Sequence, residues 1–318
     1  MGWMLGLSSV WAQSALPRAT TATPVASGDT LLAEALDTLQ RRPSVAARLR
    51  HQTHLYEHTL VGSGKYWQRG TAGQRVSRWE MQTQVAGKTA SFVQVFDGNH
   101  LWTDRRLPSG REVHRLDVAR LQMRLGARTP ARVRLTASDD RLEALTTAVE
   151  GQGGLAQMLA DLLGRFTFDP PRPIQLNGAA ASALVGHWRK EQLVRLWPEL
   201  NQTGNDARPE WPEQLPHHVL VIVDQSDLFP YVVEYRRSSD AYLASTAAGQ
   251  RLVRDPLVRY EIFDVQFAQA MDDRLFEFKP GDVQWTDETA LVLERLRQQR
   301  GDAPVISTAR GKRRRMHR

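Results

Sequence analysis

His51, His54 and His58 form the densest group of metal-capable side chains in the chain, spaced H-x₂-H-x₃-H. On a helix all three would fall near one face and could offer imidazole nitrogens to zinc or copper. The residues from Val45 onward read instead as the entry to a strand, where His51 and His54 point to opposite faces. No H-E-x-x-H accompanies them. They are therefore expected to be strand or surface histidines, with no metal assigned. Gly62-Ser63-Gly64-Lys65 lacks the upstream glycine of a phosphate loop and the Ser or Thr that should follow its lysine. Gly151-Gln152-Gly153-Gly154 could cradle an anion at a helix N-terminus, but no strand of the dinucleotide-binding kind precedes it. No G-x-S-x-G elbow exists for an α/β-hydrolase. Asp139-Asp140 and Asp272-Asp273 are adjacent pairs, which regular structure cannot turn toward each other across a substrate. Zero cysteines exclude thiolate zinc sites, Fe–S clusters, cysteine nucleophiles and a disulfide scaffold. No catalytic residue and no cofactor is assigned. A metal-dependent or carboxylate hydrolase is the weakest of the readings considered.

Charge excludes another class. The 318 residues carry a formal net charge of +7, which looks like a nucleic-acid signal until its position is considered. Residues 310–318 alone hold Arg310, Lys312, Arg313, Arg314, Arg315 and Arg318. Removing those six from the 42 Lys and Arg leaves 36 against 35 Asp and Glu, a net of +1. The body of the protein is nearly neutral, so composition gives no support to a basic nucleic-acid-binding face. At the other end, Met1–Ala12 is apolar and uncharged, and Val10-Trp11-Ala12 suits cleavage after Ala12. It is shorter than the ~20 apolar residues of a transmembrane helix, although no Lys or Arg precedes it as an export signal would ordinarily have. The expected division is a signal peptide over 1–12, a linker over 13–28, one domain over 29–300 and a disordered basic tail over 301–318. The tail is self-repelling, and could touch anionic lipid head groups.

The elements between these ends follow from periodicity. Asp29 is a plausible N-cap for a helix carrying Leu31, Leu32, Ala35, Leu36 and Leu39, stopped by Pro43. From Val45 to Asp117, alternating runs separated by Gly-rich turns predict an antiparallel meander, since connections this short cannot cross over. Its strands include 60–67, 75–85, 90–96 and 101–103. The middle reads as helical, with Leu155, Met158, Leu159, Leu162 and Leu163 at helical spacing and a short helix ended by Pro198. Strands return at 219–224, 231–237 and 258–267, and a last helix is expected over 287–299. The fold class is α+β: a single, strongly curved antiparallel sheet covered on its concave face by helices.

Two motifs add a resemblance. Val95-Phe96-Asp97-Gly98-Asn99-His100-Leu101-Trp102 is a strand, an Asp-Gly turn and a second strand that opens Leu-Trp. Asp272-Asp273-Arg274-Leu275-Phe276-Glu277-Phe278-Lys279-Pro280-Gly281-Asp282-Val283 reads as a turn anchored by Leu275 and Phe276, then a strand ended by Pro-Gly. Together, and in this order of elements over Asp29 to Val283, they resemble the periplasmic lipoprotein-carrier (LolA-like) superfamily. That resemblance implies an incomplete β-barrel lidded by helices, whose apolar hollow holds lipid or lipoprotein acyl chains without catalysis. It also implies a monomer, soluble in the periplasm; with no cysteine the chain cannot be lipid-anchored. The family's lid arginine has no single counterpart, since Arg48 and Arg50 both stand near its place. Expected to line the hollow are Trp79, Phe92 and Trp102 from the first meander, Leu155, Met158, Leu159 and Leu162 from the middle helix, and Tyr235, Tyr260 and Phe263 from the second meander. The same aromatics would equally suit a closed core. An envelope sensor or protein-interaction module, binding a partner through loops 199–216 and 238–254, is the alternative on the same fold.

Export makes the first prediction. N-terminal sequencing of protein recovered from the native cell envelope should start near Gln13; an intact Met1 in the cytoplasm would contradict it.

Overall fold

The computed structural model describes residues 27–55, 58–71, 74–125, 153–201, 211–212, 215–237 and 256–300. The expected signal peptide, most of the linker, the basic tail and loop 238–254 lie outside these, as does most of loop 199–216. Helix α1 (Gly28–Arg41) starts two residues earlier than expected. Ser27, not Asp29, is its N-cap, its hydroxyl accepting from the Thr30 N–H at 3.1 Å. Asp29 falls in the first turn, where its charge suits the helix dipole.

Six strands follow as a meander: β1 (Ser44–Leu55), β2 (His58–Arg69), β3 (Val76–Val85), β4 (Lys88–Phe96), β5 (His100–Leu107) and β6 (Gly110–Asp117). Helix α2 (Val118–Leu125) ends this half and helix α3 (Gly154–Arg165) opens the next. The stretch after α3 corrects the helical reading of the middle. It holds β7 (Phe166–Phe168), β8 (Arg172–Leu176) and β9 (Ala179–Trp188), and only then the short α4 (Lys190–Leu196). Strand β9 is buried on both faces. Its Leu184 joins the main core, while Ala181 and Ala183 join a second cluster with Leu220 and Ile222. Alternation vanishes in such a strand. Then come β10 (His218–Asp224), β11 (Pro230–Arg236), β12 (Val258–Phe267), the two-residue β13 (Thr286–Asp287) and helix α5 (Thr289–Arg300).

All thirteen strands of the described residues belong to one sheet, ordered β13-β6-β5-β4-β3-β2-β1-β12-β11-β10-β9-β7, with β8 beside β7 on the same side of β9. Every pair is antiparallel except β13 with β6. The first and last elements of this path are not paired, so the sheet is an open, incomplete barrel. Cross-strand pairing puts Val45, Ala47, Leu49, Tyr66, Trp79, Ile262, Val233, Val221 and Leu184 on one face. They form one buried cluster with Leu32, Ala35 and Leu39 of α1 and Leu155, Ala156, Leu159 and Leu162 of α3. This is the helix-covered, inner face. Two glycines let β2 and β3 close up on it: a Cβ on Gly64 would stand 2.2 Å from the Glu80 carbonyl oxygen, and one on Gly62 2.5 Å from that of Gln82.

An open sheet leaves two edges, and both are blunted. On one side β8 carries Pro173, with Pro170 and Pro171 just before it. On the other, the C-terminal segment wraps β6. Its single 3₁₀ turn, capped by the Asp272 carboxylate on the Arg274 N–H (2.9 Å), buries Phe276. The strand expected after this turn is absent, because the segment crosses the outer face of the sheet, where no ladder partner exists. Phe278 stacks on Trp102 at 5.2 Å and Trp285 meets the same ring edge-on at 5.5 Å. The Arg115 guanidinium lies 4.2 Å from the Trp285 ring centre and donates to the Asp287 carboxylate at 2.6 Å. The chain then passes the edge as β13, and α5 packs Val292 and Leu293 against Phe96 and Leu121.

The clamp at Asp287 is pH-dependent. Burial would raise its pKa, but hydrogen bonds from Arg115 and Thr289 outweigh this and hold the carboxyl at about 2. A depressed folded-state pKa stabilises above the unfolded value and is lost as pH falls through the folded one. Asp287→Asn should therefore be less stable than wild type at pH 7, and the gap should narrow as pH falls from about 4 toward 2. Denaturant melts across that range, showing a gap independent of pH, would refute the assignment.

Candidate functional site

The inner face has a fully buried part and a half-buried part. Tyr66 is 1% exposed; its hydroxyl donates to Gln68 Oε1 at 2.7 Å, and the Gln68 amide donates to the Leu39 carbonyl of α1 at 2.9 Å. The N-terminus of α3 rests on the same ring. Gly153 and Gly154 have φ of +80° and +65°, and a Cβ on Gly154 would be 2.6 Å from the Tyr66 ring. The Gly154 N–H donates to Gln94 Oε1 at 2.9 Å, which satisfies a helix-end donor from the sheet itself. Arg75, buried, donates to the Gln40 carbonyl at 3.2 Å and so sets its charge against the C-terminal carbonyls of α1.

From this floor a row of rings leads outward. Trp79 meets Tyr66 edge-on at 5.7 Å and Tyr260 at 6.1 Å, and Tyr260 lies 4.9 Å from His51. Tyr66 and Trp79 are buried, whereas Tyr260 and His51 are half-exposed. Met81, Phe92, Met158 and Tyr235 are also half-buried against the core. Near Tyr235 sits Asp161 of α3, whose carboxyl burial pushes up, opposed by Arg165 one turn on. Burial lowers the His51 pKa, favouring a neutral ring in this apolar setting. The arrangement is an apolar rim beside α3, with a closed floor of Leu155, Leu159 and Leu162, each 0–1% exposed.

Eight of the ten residues expected to line a hollow face this inner side: Trp79, Phe92, Leu155, Met158, Leu159, Leu162, Tyr235 and Tyr260. Trp102 and Phe263 do not. In the hairpin register Phe92 opposes Arg105 and Trp102 opposes Val95, so Trp102 lies on the outer face. Phe263 follows Tyr260 by three residues within an unbroken part of β12, which reverses its direction. The backbone irregularity comes only after it, at Asp264 (φ 51°). Phe263 is 39% exposed. With Arg50, Ser63 and Gln82 it lines a cleft of about 490 Å³ on the outer face. Tyr66 and Met81 were missed as inner residues, although Met81 stands two positions from Trp79, the strand period that marks a shared face.

The three histidines do not converge: His51 and His54 lie on opposite faces of β1, and His58 opens β2 opposite Leu55. Among the described residues, no group of three or more His, Cys, Asp or Glu is placed to hold a metal ion.

The class defined by this geometry is an incomplete barrel, an open antiparallel sheet with a helix-covered apolar face. No protein-family model and no curated protein matches the chain. Solved structures similar to it include a LolA superfamily protein from Nitrosomonas europaea, 13% identical, covering 80% of this chain and 98% of its own, with a TM-score of 0.30. An uncharacterized conserved protein from Thermus thermophilus is 9% identical over 80% of this chain and 98% of its own (TM-score 0.38). A DUF1329 family protein from Desulfovibrio piger is 10% identical over 80% and 97% (TM-score 0.34). These overlays are loose; the fold stands on the strand order and registers given above. Among the described residues no helix is long and apolar enough to cross a membrane.

Placement separates two roles that sequence had merged. Trp102→Ala should cost stability, about 1–3 kcal/mol for a partly buried aromatic, because it undoes the stack under Phe278 and Trp285. It should leave any ligand affinity of the inner rim unchanged. Denaturation and binding measured on the same variant check both halves; a stable variant with lost affinity would put Trp102 in the site.

Proposed function

We propose that this protein is an exported, soluble, non-catalytic binder of lipid or lipoprotein acyl chains. The acyl-binding domain spans residues 29–300, after a cleaved signal and linker, and acts as a monomer in the periplasm. The observation that carries the reading is the half-buried apolar rim of Met81, Phe92, Met158 and Tyr260, packed against the core cluster that holds the leucines of α3. A folded protein gains by covering such side chains, and an acyl chain is a ligand that covers them without asking for polar partners. Each buried CH₂ contributes about 0.8 kcal/mol, so a ~16-carbon chain offers on the order of 12 kcal/mol before ordering costs. The sealed floor means that a chain lies along the rim or enters as α3 tilts. The left-handed Gly153-Gly154 pair at the start of α3 is the natural pivot for that tilt. The basic tail would add attraction to anionic head groups, about 1 kcal/mol per residue near the surface.

A second reading draws on a different observation. Exposed Phe263 and Val61 on the outer cleft suit an envelope protein partner, which would make the molecule a sensor.

Titration with a fluorescent C16-acyl lysophospholipid distinguishes the two. Wild type should bind saturably. Phe92→Glu and Met158→Glu should each weaken binding at least tenfold, since a carboxylate in the rim must be desolvated, with small changes in thermal midpoint. Phe263→Ala should bind like wild type. Absence of saturable binding by wild type would overturn the carrier reading.

A further inference from the structure

Trp79 is 5% exposed, yet its indole Nε1–H is buried with no acceptor among the described residues. Other indoles of this protein do not share that fate. Trp188 donates to the Pro216 carbonyl at 2.7 Å, Trp211 to the Leu215 carbonyl at 2.8 Å, Trp197 to Glu199 at 3.0 Å and Trp102 to Asp97 at 3.4 Å. A buried indole ordinarily finds a partner, because an unpaired donor forfeits its hydrogen bond to water without replacement. The polar side chains that tie this face to the helices are directed elsewhere. The Tyr66 hydroxyl serves Gln68, Gln68 serves Leu39, and Gln94 serves Gly154. Trp79 also stands where the row of rings passes from the sealed floor to the half-exposed rim, between Tyr66 and Tyr260.

We infer that the ligand of this rim supplies the missing acceptor, a neutral carbonyl oxygen that accepts from Trp79 Nε1–H. The substrate class is then an acyl chain joined through an ester or amide, and neither a plain hydrocarbon nor an ether-linked chain. A neutral carbonyl suits the place better than a free carboxylate, whose desolvation in an apolar setting is far more costly. The inference rests on the acyl-binding reading and sharpens it: the apolar rim holds the chain, and one donor fixes how far the chain enters and tests its linkage.

The experiment compares two amphiphiles of equal length and head group, 1-palmitoyl-lysophosphatidylcholine and its 1-O-hexadecyl ether. Both are titrated calorimetrically into the full chain below their micelle concentrations. The ester should bind about 5- to 10-fold more tightly, the worth of one hydrogen bond. In ¹⁵N spectra of wild type, the Trp79 indole N–H should move downfield with the ester and not with the ether. Trp79→Phe should bring the ester down to the ether's affinity. Should that variant fail to fold, the wild-type spectra still decide. Equal affinities with an unmoved indole resonance overturn the inference and leave the acyl-binding reading intact. Binding of neither compound overturns both.

Discussion

The fold converges on Tyr66. Its ring supports the glycine start of α3, its hydroxyl reaches α1 through Gln68, and its edge begins the row of rings toward the rim. Two helices from distant parts of the chain are thus held to one strand by a single buried side chain. Burial drives the Tyr66 pKa well above the usual phenol range, so the hydroxyl remains a donor at any physiological pH. The constraint behind this is geometric. An open sheet cannot close on its own inner face, so helices must cover it, and their ends must be satisfied by groups on the sheet.

The outer face obeys a different economy. Glu234, 1% exposed, pairs with Arg236 and with Arg259 at 2.6 Å, and Arg259 pairs on to Glu261. Such a buried ladder sets register more surely than it adds stability, because a one-residue slip between β11 and β12 would take Arg259 away from Glu234 and leave it only Arg236 of its own strand. Inner face and outer face therefore specify the same alignment by unlike means, apolar packing on one and charge pairing on the other.

How much of this was legible in the sequence varied with the kind of signal. The first helix, the central helix and most strands of both meanders follow from periodicity, and Pro43 and Pro198 mark the stops of the first helix and of the short α4. What misled was parity and double burial. Trp102 and Phe263 were grouped with Phe92 and Tyr260 because they are large aromatics, but strand direction depends on position and not on size. Counting by twos from Trp79 finds Met81, and counting from Tyr260 excludes Phe263. For Trp102 the count must cross the Asp97-Gly98 turn, whose loop length sequence alone leaves open. Strand β9 had no alternation to read, since both its faces are covered. The polar ties at Tyr66, Gln68 and Gln94 join residues far apart in the chain, and no local pattern announces them.

The path of the C-terminal segment has a mechanical consequence. It crosses the outer face, turns the edge at β6 and ends on the inner face, so the sheet is gripped like a page in a folded clip. A force applied at the C-terminus reaches α5 first, then the short parallel pair at Thr286 and Asp287, and only afterwards the Trp102 stack. Failure would proceed in that sequence, leaving the rest of the open sheet paired until the last contact lets go. Shortening from this end would act the same way: each turn removed from α5 would loosen the edge while the inner rim stayed in place.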